Sequence, residues 1–97
     1  MKLKVCKTYT REFSPNDLGC NQEEINSIIF KYCPNAEFDN EFPEYATSIE
    51  VYKPDWFDML IAINRNKLSN ELQYLEDFKY AFKESDQNND FINLFWL

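Results

Sequence analysis

Histidine is absent from this chain of 97 residues. Histidine is the commonest general base near neutral pH and the commonest metal-ligating side chain. Its absence excludes a Ser–His or Cys–His nucleophile pair and a mixed zinc site within the chain. The carboxylate pairs Glu76 with Asp77 and Asp55 with Asp58 remain, but their pattern predicts solvent exposure and ordinary pKa values. We therefore predict that the chain is not an enzyme and has no catalytic residues, no metal site and no cofactor.

Glycine is scarce, and the cysteines are odd in number. Gly19 is the single glycine, so no glycine-rich loop is available to cradle a phosphate. The three cysteines, at positions 6, 20 and 33, are widely spaced and form no CxxC pair, which indicates reduced thiols in a cytoplasmic protein. The N-terminal residues carry charge without an apolar centre, unlike a signal peptide, and no apolar run has the length of a membrane span.

Positive charge is the third scarce feature. Lysine and arginine total 10 against 17 aspartates and glutamates, which gives a formal net charge of -7. Nucleic acids and anionic membranes require a basic surface, so we expect neither as a direct partner. The hydrophobic fraction of 44% and the aromatic fraction of 18% are enough for one core, and the length predicts a single domain over residues 1–97.

The acids are concentrated between Lys31 and Lys53, a stretch with no basic residue and five negative charges. Clustered carboxylates attract a basic partner and steer its approach, while aromatic rings supply contact area. The candidate partner-binding residues are Glu37, Phe38, Asp39, Glu41, Phe42, Glu44, Tyr45, Glu50 and Trp56. A second interpretation treats the same stretch as a solvated connection whose aromatic rings pack back onto the core.

The hydrophobic pattern predicts a β-α-β-β-α-β order. The predicted elements are a strand at 2–10, a turn at 14–21, a helix that Asn21 caps and that ends near Cys33, an acidic loop at 34–45, strands at 46–53 and 57–64 joined by a turn, a helix at 67–84 and a strand at 91–97. In the second helix, Leu68 belongs to the predicted apolar stripe and Glu71 to the side that faces solvent. This order is the ferredoxin-like α+β arrangement, a four-stranded antiparallel sheet with two helices on one face. In it the N-terminal strand lies centrally and pairs with the third and fourth strands.

Two segments allow a second assignment. In segment 54–64, alternation over four repeats favours a strand, but Pro54 can also begin a helix. The alternating residues are Phe57, Met59, Ile61 and Ile63. The residues that fit helical spacing are Trp56, Met59, Leu60 and Ile63. The last segment, read as a strand from Phe91, can instead form a terminal helical turn capped by Asp90.

Two functional hypotheses follow. The first is a small acidic binding protein that inhibits a basic, nucleic-acid-processing protein by mimicking nucleic acid and occupying its cationic surface. Phage-encoded anti-CRISPR inhibitors and toxin immunity proteins are analogies of size and charge. The second is a regulatory or assembly module that forms a homodimer, or binds a subunit or metabolite, through the open face of its sheet. The residues predicted for that face are Lys2, Lys4, Cys6, Tyr52, Leu60, Ala62, Phe91 and Phe95; a shifted strand register would put them in the core instead.

Overall fold

A computed structural model describes residues 3–8, 11–13 and 22–96, with side chains described from Gln22 onwards. Over these residues the fold is α+β, with three α-helices and one antiparallel sheet. In chain order the elements are β1 (Leu3–Thr8), β2 (Arg11–Phe13), α1 (Gln22–Tyr32), β3 (Glu37–Phe38), β4 (Ser48–Tyr52), α2 (Lys53–Arg65), α3 (Leu75–Glu84) and β5 (Phe91–Trp96), with 3-10 turns at Pro43–Tyr45 and Asn70–Tyr74.

The sheet has its last strand at the centre. Within the described residues the strand order is β2-β1-β5-β4-β3, and each neighbouring pair is antiparallel. The strands β3, β4 and β5 form the part whose side chains are described, and β1 and β2 extend it beyond β5. The prediction that the N-terminal strand is central is therefore wrong, because β1 pairs with β2 and β5 while β5 lies between β1 and β4.

The ferredoxin-like prediction of four strands and two helices is also wrong, chiefly because residues 57–64 belong to the helix α2. Pro54 lies in the first turn of α2, where its fixed φ suits a helix and no backbone N–H is needed. The residues that α2 buries are Trp56, Met59 and Ile63, which follow helical spacing. Phe57 and Ile61, which completed the apparent alternation, are exposed to solvent.

The predicted helix at 67–84 begins later than the pattern indicated. Leu68 was expected in its apolar stripe but is 97% exposed. The Ser69 hydroxyl accepts a hydrogen bond from the Glu71 backbone N–H at 3.1 Å and starts a 3-10 turn at Asn70–Tyr74. Because this turn precedes it, α3 covers only the second half of the predicted helix.

Glu71 lies in the 3-10 turn at Asn70–Tyr74 and connects this turn to α1. Its carboxylate accepts hydrogen bonds from the Tyr32 hydroxyl and from Lys31 Nζ, both in α1. Partial burial opposes ionisation, but these two hydrogen bonds, the charge of Lys31 and a hydrogen bond with Ser69 together outweigh it and lower the pKa of Glu71. A side chain predicted to face solvent thus connects two elements.

Three predicted elements are confirmed with small changes of boundary. The helix α1 ends at Tyr32, close to Pro34, and buries Ile25, Ile28 and Ile29. The strand β4 matches the prediction at 46–53, and β5 is the predicted last strand, so the alternative of a terminal helical turn is excluded. The turn at 14–21 and the proposed helix cap Asn21 lie outside the described residues.

The core lies between the helices and one face of the sheet. Alternate residues of β4 and β5 are buried there, and Trp56 and Phe78 meet edge to face with ring centroids 5.4 Å apart. Trp56 Nε1 donates a hydrogen bond to the Phe78 carbonyl oxygen at 3.0 Å, so the indole is buried with its polar atom satisfied. The sheet residues of the core are Ile49, Val51, Ile92, Leu94 and Trp96.

Candidate partner-binding surface

Among residues 22–96 and the two described N-terminal strands, no helix covers the second face of the sheet, and we call it the open face. It consists of the outward residues of β3, β4 and β5, assigned from the alternation of burial and from strand register. These residues are Glu37, Ser48, Glu50, Tyr52, Phe91, Asn93 and Phe95. The prediction placed Leu60 and Ala62 here too, but both lie in α2. The side chains of Lys2, Lys4 and Cys6 lie outside the described residues.

One end of the open face is acidic. Glu37 of β3 lies directly opposite Glu50 of β4, and both side chains are exposed. Together with Asp39 they line an open groove of about 270 Å³. The other residues lining the groove are Phe38, Ser48 and Asn93. Among the described residues, no lysine or arginine forms an ion pair with the three carboxylates.

The neighbouring row of the open face is aromatic. Tyr52 of β4 pairs with Phe91 of β5, and their rings lie 5.4 Å apart at 51°. They are 46% and 38% exposed, which is high for side chains of this size. Since Glu50 and Tyr52 are two residues apart on one strand, the acidic and aromatic rows lie roughly 7 Å apart.

Asp39 combines a position in the groove with a structural role. Its two carboxylate oxygens accept hydrogen bonds from the Thr47 backbone N–H at 2.7 Å and from Thr47 Oγ1 at 2.6 Å. Burial opposes ionisation, but the hydrogen bonds from Thr47 and from nearby backbone groups outweigh it and lower the pKa of Asp39. Asp39 thus closes the base of the loop that connects β3 to β4.

The tip of this loop carries the remaining exposed candidates. Phe42 precedes the 3-10 turn and Tyr45 is its last residue, and their rings meet edge to face at 6.4 Å, each about half exposed. Glu41 is exposed and Glu44 is half-buried, and neither lines the groove. The structure therefore divides the predicted set into a groove on the open face and a separate loop tip.

The loop tip is held against α1 by polar side chains. Asn26 Nδ2 and Gln22 Nε2 donate to the Ala46 carbonyl oxygen at 2.9 and 2.8 Å. Asn26 is fully buried, and its Oδ1 accepts a hydrogen bond from Trp96 Nε1 at 2.9 Å. These hydrogen bonds hold Ala46 against α1, and the contacts between Asp39 and Thr47 close the base of the loop.

Two of the predicted aromatic contact residues are partly or fully removed from the surface. Trp56 is fully buried in the core, so its prediction as a surface anchor is corrected. Phe38 is half-buried and packs edge to face on Phe30 with ring centroids 5.8 Å apart. The candidate set from the acidic stretch lacked Tyr52 and Phe91, which were predicted instead for the open face of the second hypothesis, and both are exposed on that face.

The remaining reactive groups offer little chemistry. Burial, followed by the charges of Asp55 and Asp58, raises the pKa of the Cys33 thiol to about 12, so it stays protonated. Burial and then the neighbouring Glu76 raise the pKa of Asp77, which is half-buried rather than exposed as predicted. Within residues 22–96 and the two described strands, no cluster of cysteines and carboxylates has the arrangement of a metal site.

Comparisons with protein families, with curated proteins and with solved structures gave no match for this chain. In the described part of the chain, every helix is too short or too polar to cross a bilayer. Function must therefore be inferred from the surface of the chain itself.

Proposed function

We propose that this chain is a small non-enzymatic binding protein that inhibits a basic, nucleic-acid-processing protein by occupying its cationic surface. The observation that carries the proposal is the groove in which Glu37, Asp39 and Glu50 lie together without a basic partner among the described residues. A nucleic-acid enzyme holds phosphates with lysine and arginine. Carboxylates on a fixed strand pair offer such side chains an alternative set of anionic acceptors.

The overall charge favours the same kind of partner. A net charge of -7 on 97 residues raises the association rate with a basic protein and opposes binding to nucleic acid itself. Exposed aromatic pairs, Tyr52 with Phe91 and Phe42 with Tyr45, supply contact area beside the acids. We place this activity in the cytoplasm, where such enzymes act on nucleic acid.

The test is capture of a nucleic-acid-processing protein from an extract of the native host on the immobilised chain, with elution by salt and identification by mass spectrometry. We expect the captured protein to be released by increasing salt and by competing double-stranded DNA, because both screen or occupy its cationic groove. Retention of the partner in excess DNA would show that the contact does not overlap the nucleic-acid site.

Charge reversal then tests which acids make the contact. Glu37→Lys with Glu50→Lys changes the groove, and Glu41→Lys with Glu44→Lys changes the loop by the same amount of charge. Asp39 is left intact because its carboxylate closes the loop. We expect the groove pair to abolish binding and the loop pair to weaken it. Unchanged binding by both double variants would refute the electrostatic mechanism.

A second candidate function is an assembly module that dimerises through the open face. The exposed Tyr52–Phe91 pair favours it, because exposed neighbouring rings are common at protein contacts. Light scattering at low and high salt separates the two functions. An assembly module should be a dimer that persists in high salt, whereas the inhibitor should be a monomer whose partner binding weakens as salt rises.

A further inference from the structure

The open face places two kinds of contact side by side. Glu37, Glu50 and Asn93 form one row across β3, β4 and β5, because Glu50 pairs with both of the others. Tyr52 and Phe91 form the next row. A partner that matches both rows must carry a cation and an apolar group about 7 Å apart, the spacing of two residues along a strand.

The acidic row contains a repulsion that the described part of the chain does not relieve. Glu37 and Glu50 are directly opposed on an antiparallel strand pair, an arrangement that destabilises a sheet when the charges are alike. The neighbour of Glu50 on its other side is Asn93, which is neutral. A bound cation would attract both carboxylates and so offset their repulsion. The acidic row therefore favours a positively charged group of the partner.

We infer that the open face binds a segment of the protein partner in which an arginine lies next to an apolar side chain. The arginine contacts Glu37 and Glu50, and the apolar side chain packs on Tyr52 and Phe91. The inference rests on the proposed function and specifies the chemistry of the partner at that surface. Arginine suits the site better than lysine because its planar guanidinium can contact two carboxylates and also stack on a ring.

A second copy of this chain is a poorer occupant. The same face on a second copy would bring another Glu37–Glu50 pair to the contact, and juxtaposed like charges oppose association. The charge of the described part of the open face therefore favours a basic segment over self-association.

The probe for this surface is an acetylated, amidated Arg-Gly-Trp peptide, with Cit-Gly-Trp as its control, in which citrulline keeps the shape of arginine without the charge. Two-dimensional NMR of the labelled full chain follows the backbone amides during titration. We expect saturable shifts centred on Glu50, Tyr52, Phe91 and Asn93 with the arginine peptide, and much smaller shifts with the citrulline peptide.

Single substitutions test the ionic contact and the aromatic contact separately. Glu50→Gln should weaken arginine-peptide binding about threefold to fivefold, the effect of one partly exposed ion pair, and Glu37→Gln should act in the same direction. Tyr52→Ala should weaken both peptides. Phe57→Ala is the matched control, because Phe57 is 51% exposed in α2 against 46% for Tyr52, and it should leave binding unchanged. The amide spectrum of each variant establishes that it is folded.

The inference is overturned if the arginine and citrulline peptides bind equally, if the shifts centre on Phe42 and Tyr45, or if light scattering shows a dimer that Tyr52→Ala dissociates. The peptide titration does not require the natural partner. Failure to capture a nucleic-acid-processing protein would therefore count against the proposed function, whereas failure of the titration would count against the open face as its contact surface.

Discussion

The strand β4 separates two surfaces with different roles. Ile49 and Val51 face the helices and are almost completely buried, whereas Glu50 and Tyr52, one residue along in each case, are exposed. The buried residues contribute to the free energy of unfolding through removal of apolar surface from water. The exposed residues contribute little to folding, so they can carry charge and aromatic area for contact with a partner. Substitutions of the buried residues should therefore change the free energy of unfolding, whereas substitutions of the exposed residues should change the binding of a partner.

The largest difference should come from comparing Trp56→Ala with Tyr52→Ala. Removing the buried indole leaves a cavity beside Phe78, and we expect a loss of about 3–5 kcal/mol in the free energy of unfolding. Tyr52 lies on the open face, so its substitution should cost about 1 kcal/mol or less. Urea denaturation followed by circular dichroism measures both. Equal losses for the two variants would mean that the open face is part of the folding core.

The second prediction concerns the buried amide beneath the sheet. Asn26→Ala leaves Trp96 Nε1 without its acceptor and removes a hydrogen bond to the Ala46 carbonyl. An unsatisfied buried donor costs about 1–3 kcal/mol, so we expect a loss in that range by the same denaturation assay.

Ser27→Ala is the control for Asn26→Ala, because Ser27 is exposed on the same helix and alanine is well tolerated there. The Asn26 variant should also loosen the loop tip, which hydrogen exchange at Tyr45 and Ala46 would detect. Stability equal to that of the Ser27 variant would show that the amide network contributes nothing to folding.

The alternation in β4 was readable from sequence because Ile49 and Val51 alternate with polar or amphipathic residues. The structure of segment 54–64 was not readable from sequence. Phe57 and Ile61 are apolar but exposed, and they complete the alternation of a strand within a segment that is a helix. Met59 and Ile63 fit the spacing of both a strand and a helix, so hydrophobic periodicity did not distinguish the two structures. Pro54, in the first turn of α2, was the local signal for the helix.

The candidate surface was predictable in composition but not in geometry. The density of acids between Lys31 and Lys53 is a property of the sequence, and it correctly identified residues that are mostly exposed. The pairing of Glu37 with Glu50 depends on β3, a strand of two residues that leaves no periodic signal. The neighbouring positions of Tyr52 and Phe91 depend on pairing between strands distant in sequence.

The third prediction tests Asp39, at the boundary between the loop and the open face. Its pKa in the folded chain is lowered, so its hydrogen bonds stabilise the fold above the unfolded pKa of about 3.9. This stability is lost as the pH falls through the lower pKa of the folded chain. We expect Asp39→Asn to cost about 0.5–1 kcal/mol at pH 7, a small effect because the carboxylate is exposed, and progressively less as the pH falls through the lowered pKa of Asp39.

Thermal unfolding between pH 2 and 7 measures the effect of Asp39→Asn. Glu41→Gln, which neutralises an exposed acid of the same loop, controls for the loss of one negative charge. Parallel stability curves for the Asp39 variant and the unmodified chain at all pH values would show that the Thr47 contacts do not depend on the ionised carboxylate.

The smallest effect has the opposite sign and concerns the open face alone. Glu50→Gln removes the repulsion between Glu50 and Glu37, so we expect the free energy of unfolding to increase by about 0.2–1 kcal/mol at low ionic strength. The gain should shrink in 1 M salt, where the screening length falls to about 3 Å.

Glu41→Gln again controls for net charge, because Glu41 lies outside the strand pair. A variant that folds more stably but binds a cation less well would show that the acidic row is retained for contact rather than for stability. If Glu50→Gln is instead destabilising at low salt, the row is compensated within the folded chain and no partner cation is needed to explain it.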